Sequence, residues 1–588
     1  MGKMNDNTVG FTLIEILVSM TVFIIITYFG YLAYANILES ITRSQLRNEA
    51  ISLIEAEIEI IRNLPYGDVG TLTGYPVGKL SAEKTVSSGG VDFELKTTVR
   101  NIDDAFDGVL GGVPNDTAPA DYKIVEFEVD CLNCRSFVPF SMTSTISPKG
   151  LESASNNGSL FINVFDASGQ PISGANVQVV NNALNPTISI NDVTNTNGVL
   201  QLVDFPTSTS AYEITASKSG YTTEKTYPIG DINNPNPSKP HATVAQQQVT
   251  SISFSIDKIS TLNITTADKM CAAVPNIDFS MDGIKLIGTE PDVLKYSTTS
   301  ITNASGQKTI NNVEWDNYNF TNVDGVYDFS GITSLLPLTI NPDTTSNLKF
   351  VMEQKNPMAV LITAKEGSQL VDDVSVNLQK IGYDTTLYTG RNNFFQTDWS
   401  GGQYFSQNGG IDYSTAGEIK MLAIGGKYST TTEEWLISNT FNLGATNTTF
   451  FSIDWNPAIE PIETGADSLK IQIATNNDNS TWNFLGPDGT ISTYYTATGT
   501  QIAASHNNSG YLRYKVFMKT ADENFTPSLQ NIIFNYRSSC IANGQAFFSG
   551  LSSGTYNLTA QKSGYQLATS TISVSSNWQE QKIELISN

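Results

Sequence analysis

The sequence predicts an α+β module, a long amino-terminal transmembrane helix with a small sheet, followed by multidomain all-β sandwiches. Three observations carry this: an apolar run from Phe11 to about Leu38 that continues as an amphipathic stripe to Leu64, strand-like alternation downstream, and segments that repeat one another from about residue 154. At 588 residues the chain is too long for one core, since single cores stop growing near roughly 250–300 residues. Charged residues make up only 15%, and Thr, Ser, Asn and Gly abound, a balance typical of exported β-rich modules. A net charge of -24 with two histidines, His241 and His506, argues against nucleic acid as a partner, which needs a basic patch. There is no Gly-x-Ser-x-Gly elbow, His-Glu-x-x-His pair or phosphate loop, so the expectation is a non-enzyme.

The apolar run is long enough to cross a bilayer, which takes roughly 20 residues. It contains one acid, Glu15; a carboxylate costs about 2.5–3.5 kcal/mol at the centre of a membrane helix and less near an end, so an intramembrane acid calls for compensation. Beyond the run, Ile51, Ile54, Ile58, Ile61 and Leu64 recur at three- and four-residue steps while Arg43, Arg47, Glu55, Glu57, Glu59 and Arg62 fill the other faces. Pro65 stops the helix. At about 1.5 Å per residue the rod is roughly 80 Å long. Strand-like runs come next at Val91–Val99, Tyr122–Asp130 and Phe137–Ile146.

Gly10-Phe-Thr-Leu-Ile-Glu-Ile-Leu-Val-Ser-Met20, after the polar leader Met1–Val9, resembles the processing signal of type IV prepilins and pseudopilins. The resemblance implies that a prepilin peptidase cuts between Gly10 and Phe11 on the cytoplasmic face and N-methylates Phe11. Glu15, the fifth mature residue, then pairs with the Phe11 ammonium of a neighbouring subunit. Two charges that are each costly in hydrocarbon cost less together, which couples pairing to assembly. The leader departs from the pattern in opposing Lys3 with Asp6, a thin positive-inside signal. An uncleaved anchor or a secretory signal is the alternative, although the latter has a shorter apolar core followed by its cleavage site. The resemblance further implies a helix covered by a small antiparallel sheet, closest to minor pilins and minor pseudopilins of type II secretion. Its partners would be other pilin or pseudopilin subunits and the inner-membrane assembly machinery. The chain would cross the cytoplasmic membrane once and place its carboxy-terminal domains outside.

The expected organisation is a leader (1–10), a transmembrane and pilin helix (11–64), a pilin-like antiparallel β domain (65–153), a first sandwich (154–257), a second (258–353), a third split into 354–390 and 540–588, and an inserted jelly-roll-like domain (391–539). Repetition supports this. The first copy contains Thr194-Asn-Thr-Asn-Gly198 and Tyr212-Glu-Ile-Thr-Ala-Ser-Lys-Ser-Gly-Tyr221; the second Thr302-Asn-Ala-Ser-Gly306 and Trp315-Asp-Asn-Tyr-Asn-Phe320; the third Ala542-Asn-Gly544 and Gly554-Thr-Tyr-Asn-Leu-Thr-Ala-Gln-Lys-Ser-Gly-Tyr565. These copies resemble carboxypeptidase regulatory-like β-sandwiches, modules without catalysis. Asn and Gly supply the turn, and the Gly-Tyr pair reverses the chain while the tyrosine packs back.

Three groups invite a functional reading. Trp399, Trp435, Trp455 and Trp482 lie in the insert, with Tyr494 and Tyr495; such aromatics either stack on sugars or fill the core. Asp103, Asp104, Asp107, Asn115, Asp116 and Asp121 crowd one loop, and calcium takes several oxygen ligands of this kind, although acidic loops are also simply solvated. Cys131-Leu-Asn-Cys134 lacks the second ligand pair of a zinc site, and Cys271 and Cys540 are solitary in other modules, which leaves a local disulfide between Cys131 and Cys134. The function expected is that of a minor pilin or pseudopilin displaying β modules, with adhesion to a surface glycan or protein as their use. A non-adhesive structural or priming component of a secretion pseudopilus, or an uncleaved surface protein, is the competing reading.

Overall fold

The computed structural model describes residues 12–134, 137–150, 155–356, 358–575 and 578–588. Gly10 and Phe11 lie outside the described residues. The chain forms one long helix and then many mostly antiparallel sheets in several β domains. It divides into two compact units, residues 1–258 with 286–293, and residues 259–285 with 294–588.

In the first unit α1 runs from Leu13 to Arg62, 50 residues, or about 75 Å. Its carboxy-terminal part packs Leu53, Ile54, Ile58 and Ile61 on a sheet, each burial contributing roughly 1.5–3 kcal/mol before entropy. Asn63 caps the end by donating its side-chain amide to the Glu59 carbonyl. The sheet has four strands in sequence order, β1 (Glu83–Ser88), β2 (Val91–Ile102), β3 (Tyr122–Cys131) and β4 (Phe140–Ile146), all antiparallel. The sequence pattern announces three of them. β1 is the addition, a polar strand turned back at Gly89-Gly90, both with positive φ. Its outward residues are hydrophilic, so periodicity gives it no core face to announce.

The first sandwich lies in the same unit, from Gly158–Phe165 to Val249–Ser255. Arg100 of β2 reaches it: Nε and Nη2 donate to Asp192 at 2.6 and 2.5 Å while Nη1 donates to Glu126 at 2.9 Å. Asn101 adds a hydrogen bond to the Val203 carbonyl.

The second unit holds two further sandwiches and the inserted domain. The strands Ala359–Glu366 and Ser375–Lys380 pair with Gln545–Phe548 and Gly554–Gln561, so the third sandwich is closed by chain that returns only after the whole insert. Between them, strands such as Asn392–Gln396, Thr449–Asn456 and Asn531–Arg537 make one sheet, and Glu434–Ser438, Leu469–Asn476 and Tyr511–Met518 make another. They enclose their own core around Trp399, Tyr495, Tyr514, Phe534 and Tyr536.

The repeats share three devices. Gly198, Gly306 and Gly544 all have positive φ, and an added Cβ would come within 2.5 Å of the Val164 carbonyl, 2.5 Å of the Thr266 carbonyl and 3.0 Å of the Ala364 carbonyl; only glycine fits. Tyr212, Tyr318 and Tyr556 are fully buried and donate their hydroxyls to the carbonyls of Pro206, Glu314 and Ser552 at 2.6, 2.8 and 2.9 Å. The third device is absent from the sequence pattern: in each sandwich the first and last strands pair in parallel over seven residues, Ser159–Phe165 with Val249–Ser255, Thr261–Ala267 with Thr345–Val351, and Ala359–Lys365 with Trp578–Glu584.

Candidate functional site

The amino terminus of α1 is built by a capping box. Thr12 is extended; its Oγ1 accepts from the Glu15 amide at 3.3 Å, and Glu15 Oε2 accepts from the Thr12 amide at 3.1 Å and its hydroxyl at 3.0 Å. The Glu15 carboxylate therefore satisfies the backbone donor of Thr12 at the start of its own helix, a role that its sequence position hides behind the cost of the charge. Leu13, Ile14, Ile16, Leu17, Val18, Met20 and the large apolar residues after them to Leu38 are exposed. Thr21 and Thr27 within this run return their hydroxyls to the carbonyls four residues back, so they add no unsatisfied polar group. By length and composition α1 can cross a membrane. An exposed apolar surface of this extent needs lipid or other helices around it.

The acidic loop lies between β2 and β3. Its side chains mostly serve the loop itself: Asp103 Oδ2 accepts from the Leu110 amide at 2.9 Å, Asp104 Oδ1 from Phe106 at 3.1 Å, Asn115 Oδ1 from Gly111 at 2.6 Å, Asp116 Oδ1 from Ala118 at 2.8 Å, and Asp121 Oδ2 from the Asp104 amide. Asp107 enters electrostatically: burial, with the charges of Asp116, Asp121 and Asp107, pushes the Asp103 carboxyl up to about 6. Buried oxygens of Asp103 and Asp116 accept no hydrogen bond among the described residues. Among the described residues no group of three or more His, Cys, Asp or Glu side chains is arranged to hold a metal ion.

Cys131 and Cys134 are disulfide-bonded at the end of β3. Cys271 and Cys540, solitary in sequence, are bonded to each other with Cα atoms 5.0 Å apart and a sequence separation of 269. They join the second sandwich to the chain leaving the inserted domain, a contact invisible while the split third sandwich is unfolded in sequence.

The tryptophans of the insert separate into two populations. Trp399 and Trp455 are buried with Tyr495; the Trp399 Nε1 donates to the Tyr514 hydroxyl, which donates to Gln396 Oε1, both at 2.7 Å. Trp435, Trp482 and Tyr494 are half-buried on the outside of the sheet centred on Tyr511–Met518. In that strand Leu512, Tyr514, Val516 and Met518 point into the core, so Arg513, Lys515 and Phe517 project from the opposite face. The Arg513 guanidinium lies 3.8 Å from the Phe405 ring centre and 4.4 Å from that of Trp482. Lys515 stands 4.4 Å from Trp435, and Lys470 4.2 Å from Tyr494 and 2.6 Å from Glu433. Sequence reasoning flags the tryptophans but misses this row; the alternation in Leu512-Arg-Tyr-Lys-Val-Phe is the available signal.

No protein-family model matches this chain, and no curated protein matches it. Among solved structures it shows distant similarity to the Bacillus anthracis TIE protein (10% identity, covering 86% of this chain and 74% of that one, TM-score 0.16). It is similarly distant from the Streptococcal ancillary pilin (11%, 38% and 75%, TM-score 0.17) and from GBS52, the minor pilin of Streptococcus agalactiae (14%, 34% and 96%, TM-score 0.17). At these identities and TM-scores the likenesses carry no argument about function.

Proposed function

We propose that this chain is a minor pilin-like or pseudopilin-like subunit, assembled into a type IV filament or a type II secretion-like pseudopilus through α1 and displaying its β modules for adhesion. The observation that supports it most is the helix itself: an exposed apolar run, capped by Thr12 and Glu15, directly follows the Gly10-Phe11 processing motif. Cleavage by a prepilin peptidase would place the Phe11 ammonium one residue before the cap. Glu15 Oε2 serves Thr12, and the carboxylate retains a second oxygen with which to meet a neighbour's ammonium. The bulk of the β modules favours few copies at or near a tip.

Mass spectrometry of the amino-terminal peptide in sheared surface filaments tests this, in the wild type, Glu15→Val and Glu15→Gln. Glutamine keeps the capping box but not the charge. N-methyl-Phe11 in the wild-type sheared fraction, lost in both variants, fits assembly through charge pairing. Wild-type behaviour of Glu15→Gln would reduce Glu15 to a cap and remove the pairing mechanism. An intact Met1 terminus confined to membranes would leave the alternative, an uncleaved anchored surface protein.

A further inference from the structure

The outer face of the inserted domain concentrates positive charge on an acidic chain. Residues 391–539 contain 8 Lys or Arg and 13 Asp or Glu, so 8 − 13 gives −5, yet Arg513, Lys515 and Lys470 stand together with Glu433 as the only ion-paired acid beside them among the described residues. Neither Arg513 nor Lys515 has a carboxylate within ion-pair distance among those residues. Arg513 is held rather than free: its guanidinium carbon lies 3.8 and 4.4 Å from the ring centres of Phe405 and Trp482, and its Nε donates to Thr440 Oγ1 at 2.8 Å. Nη1 and Nη2 make no hydrogen bond among the described residues, and such a donor pair can grip a carboxylate with two parallel hydrogen bonds.

Thr440 also borders a cavity of about 250 Å³, because its chain neighbours Asn439 and Phe441 line it together with Phe395, Gln403 and Asp398, whose carboxylate accepts from the Ser400 amide and hydroxyl. The side-chain amides of Gln403 and Asn439 are exposed and make no hydrogen bond within the described residues. Phe395 and Phe405 are 62% and 59% exposed. Amides for hydroxyls, aromatic rings for the apolar faces of pyranoses and a fixed guanidinium for a carboxylate are the three elements an acidic sugar requires.

We propose that this face and the adjoining cavity bind an acidic polysaccharide, a chain of pyranose rings bearing carboxylates. The site deepens the adhesive reading above and rests on it for its purpose.

The test uses the full-length chain in detergent micelles, titrated with hexagalacturonate, its methyl ester and an oligo-dT strand, and followed by calorimetry. Hexagalacturonate should bind saturably, and the ester, which removes the charge and keeps the sugar, about tenfold or more weakly, as the loss of a charged hydrogen-bonded pair implies. Arg513→Gln should abolish the difference between acid and ester. Gln403→Ala with Asn439→Ala, both exposed and outside the packed core, should weaken acid and ester alike, which keeps the proposal testable if Arg513→Gln disturbs the fold. Equal affinity for acid and ester, preference for oligo-dT, or no binding of hexagalacturonate would overturn it. These measurements need no filament, so their failure is distinguishable from failure of the N-methyl-Phe11 assay.

Discussion

Replacing Cys271 and Cys540 together by serine should be felt through the whole second unit. The bond joins residues 269 apart. In the chain-entropy model, closing a loop of that length removes about 19 cal/mol/K from the unfolded ensemble, or about 5–6 kcal/mol at 25 °C, and native crosslinks usually deliver about 2–5 kcal/mol of such a ceiling. The double variant should therefore lose about 2–5 kcal/mol in urea unfolding of the unit containing the second and third sandwiches. The same geometry sets a length. At about 3.3–3.6 Å per extended residue, the bond withholds roughly 900 Å of chain when the protein is stretched from its two ends. Single-molecule pulling should show the variant extending by that much more than the oxidised wild type. Equal extensions would mean that the cysteines are not joined. A length difference with unchanged stability, within about 0.5 kcal/mol, would refute the entropic reasoning while leaving the bond in place.

Four further outcomes are expected. Arg100→Met should cost about 3 kcal/mol in thermal unfolding of the first unit, because it strands Asp192, whose side chain is 5% exposed; a loss under about 0.5 kcal/mol would show that the bidentate pair is not formed. Tyr556→Phe removes the hydroxyl that donates to the Ser552 carbonyl and accepts from the Ser552 amide, and should lower stability by about 1–2 kcal/mol by differential calorimetry. In the inserted domain two groups give opposite pH slopes. Burial raises Glu460 to about 7, with Glu418 adding to the rise against the Ser528 amide, so the folded state holds more protons than the unfolded and stability falls as pH rises from about 4.5 to 7. Glu460→Gln should flatten that fall. Burial lowers His506 to about 4, so its contribution is complete above about 6.5 and is lost as pH drops toward 4; His506→Gln should remove that loss, and NMR titration of the ring nitrogens should find it neutral at pH 6.

The amino-acid order alone determined the helix, its end near Pro65 and the β character of the chain beyond it, because these depend on local properties: a continuous apolar run, a 3.6-residue stripe and alternation. It also marked the Asn-Gly turns that recur among the sandwiches, since a left-handed turn imposes glycine at one position; the tyrosines it singled out, Tyr221 and Tyr565, are half-buried, and the buried hydroxyls belong instead to Tyr212, Tyr318 and Tyr556. Strand β1 escaped because Val86 is its only apolar residue, packed on the core between Lys84 and Ser88. Glu15 was legible as a costly charge, whereas its capping of Thr12 depends on where the helix begins. Other features depended on chain segments far apart in sequence. The parallel pairing of first and last strands, the Cys271–Cys540 bond and the approach of Arg513 to Phe405, Trp482 and Thr440 join residues separated by tens to hundreds of positions. Local pattern says which face of a strand is wet; only the closed sandwich decides which other residues share that face.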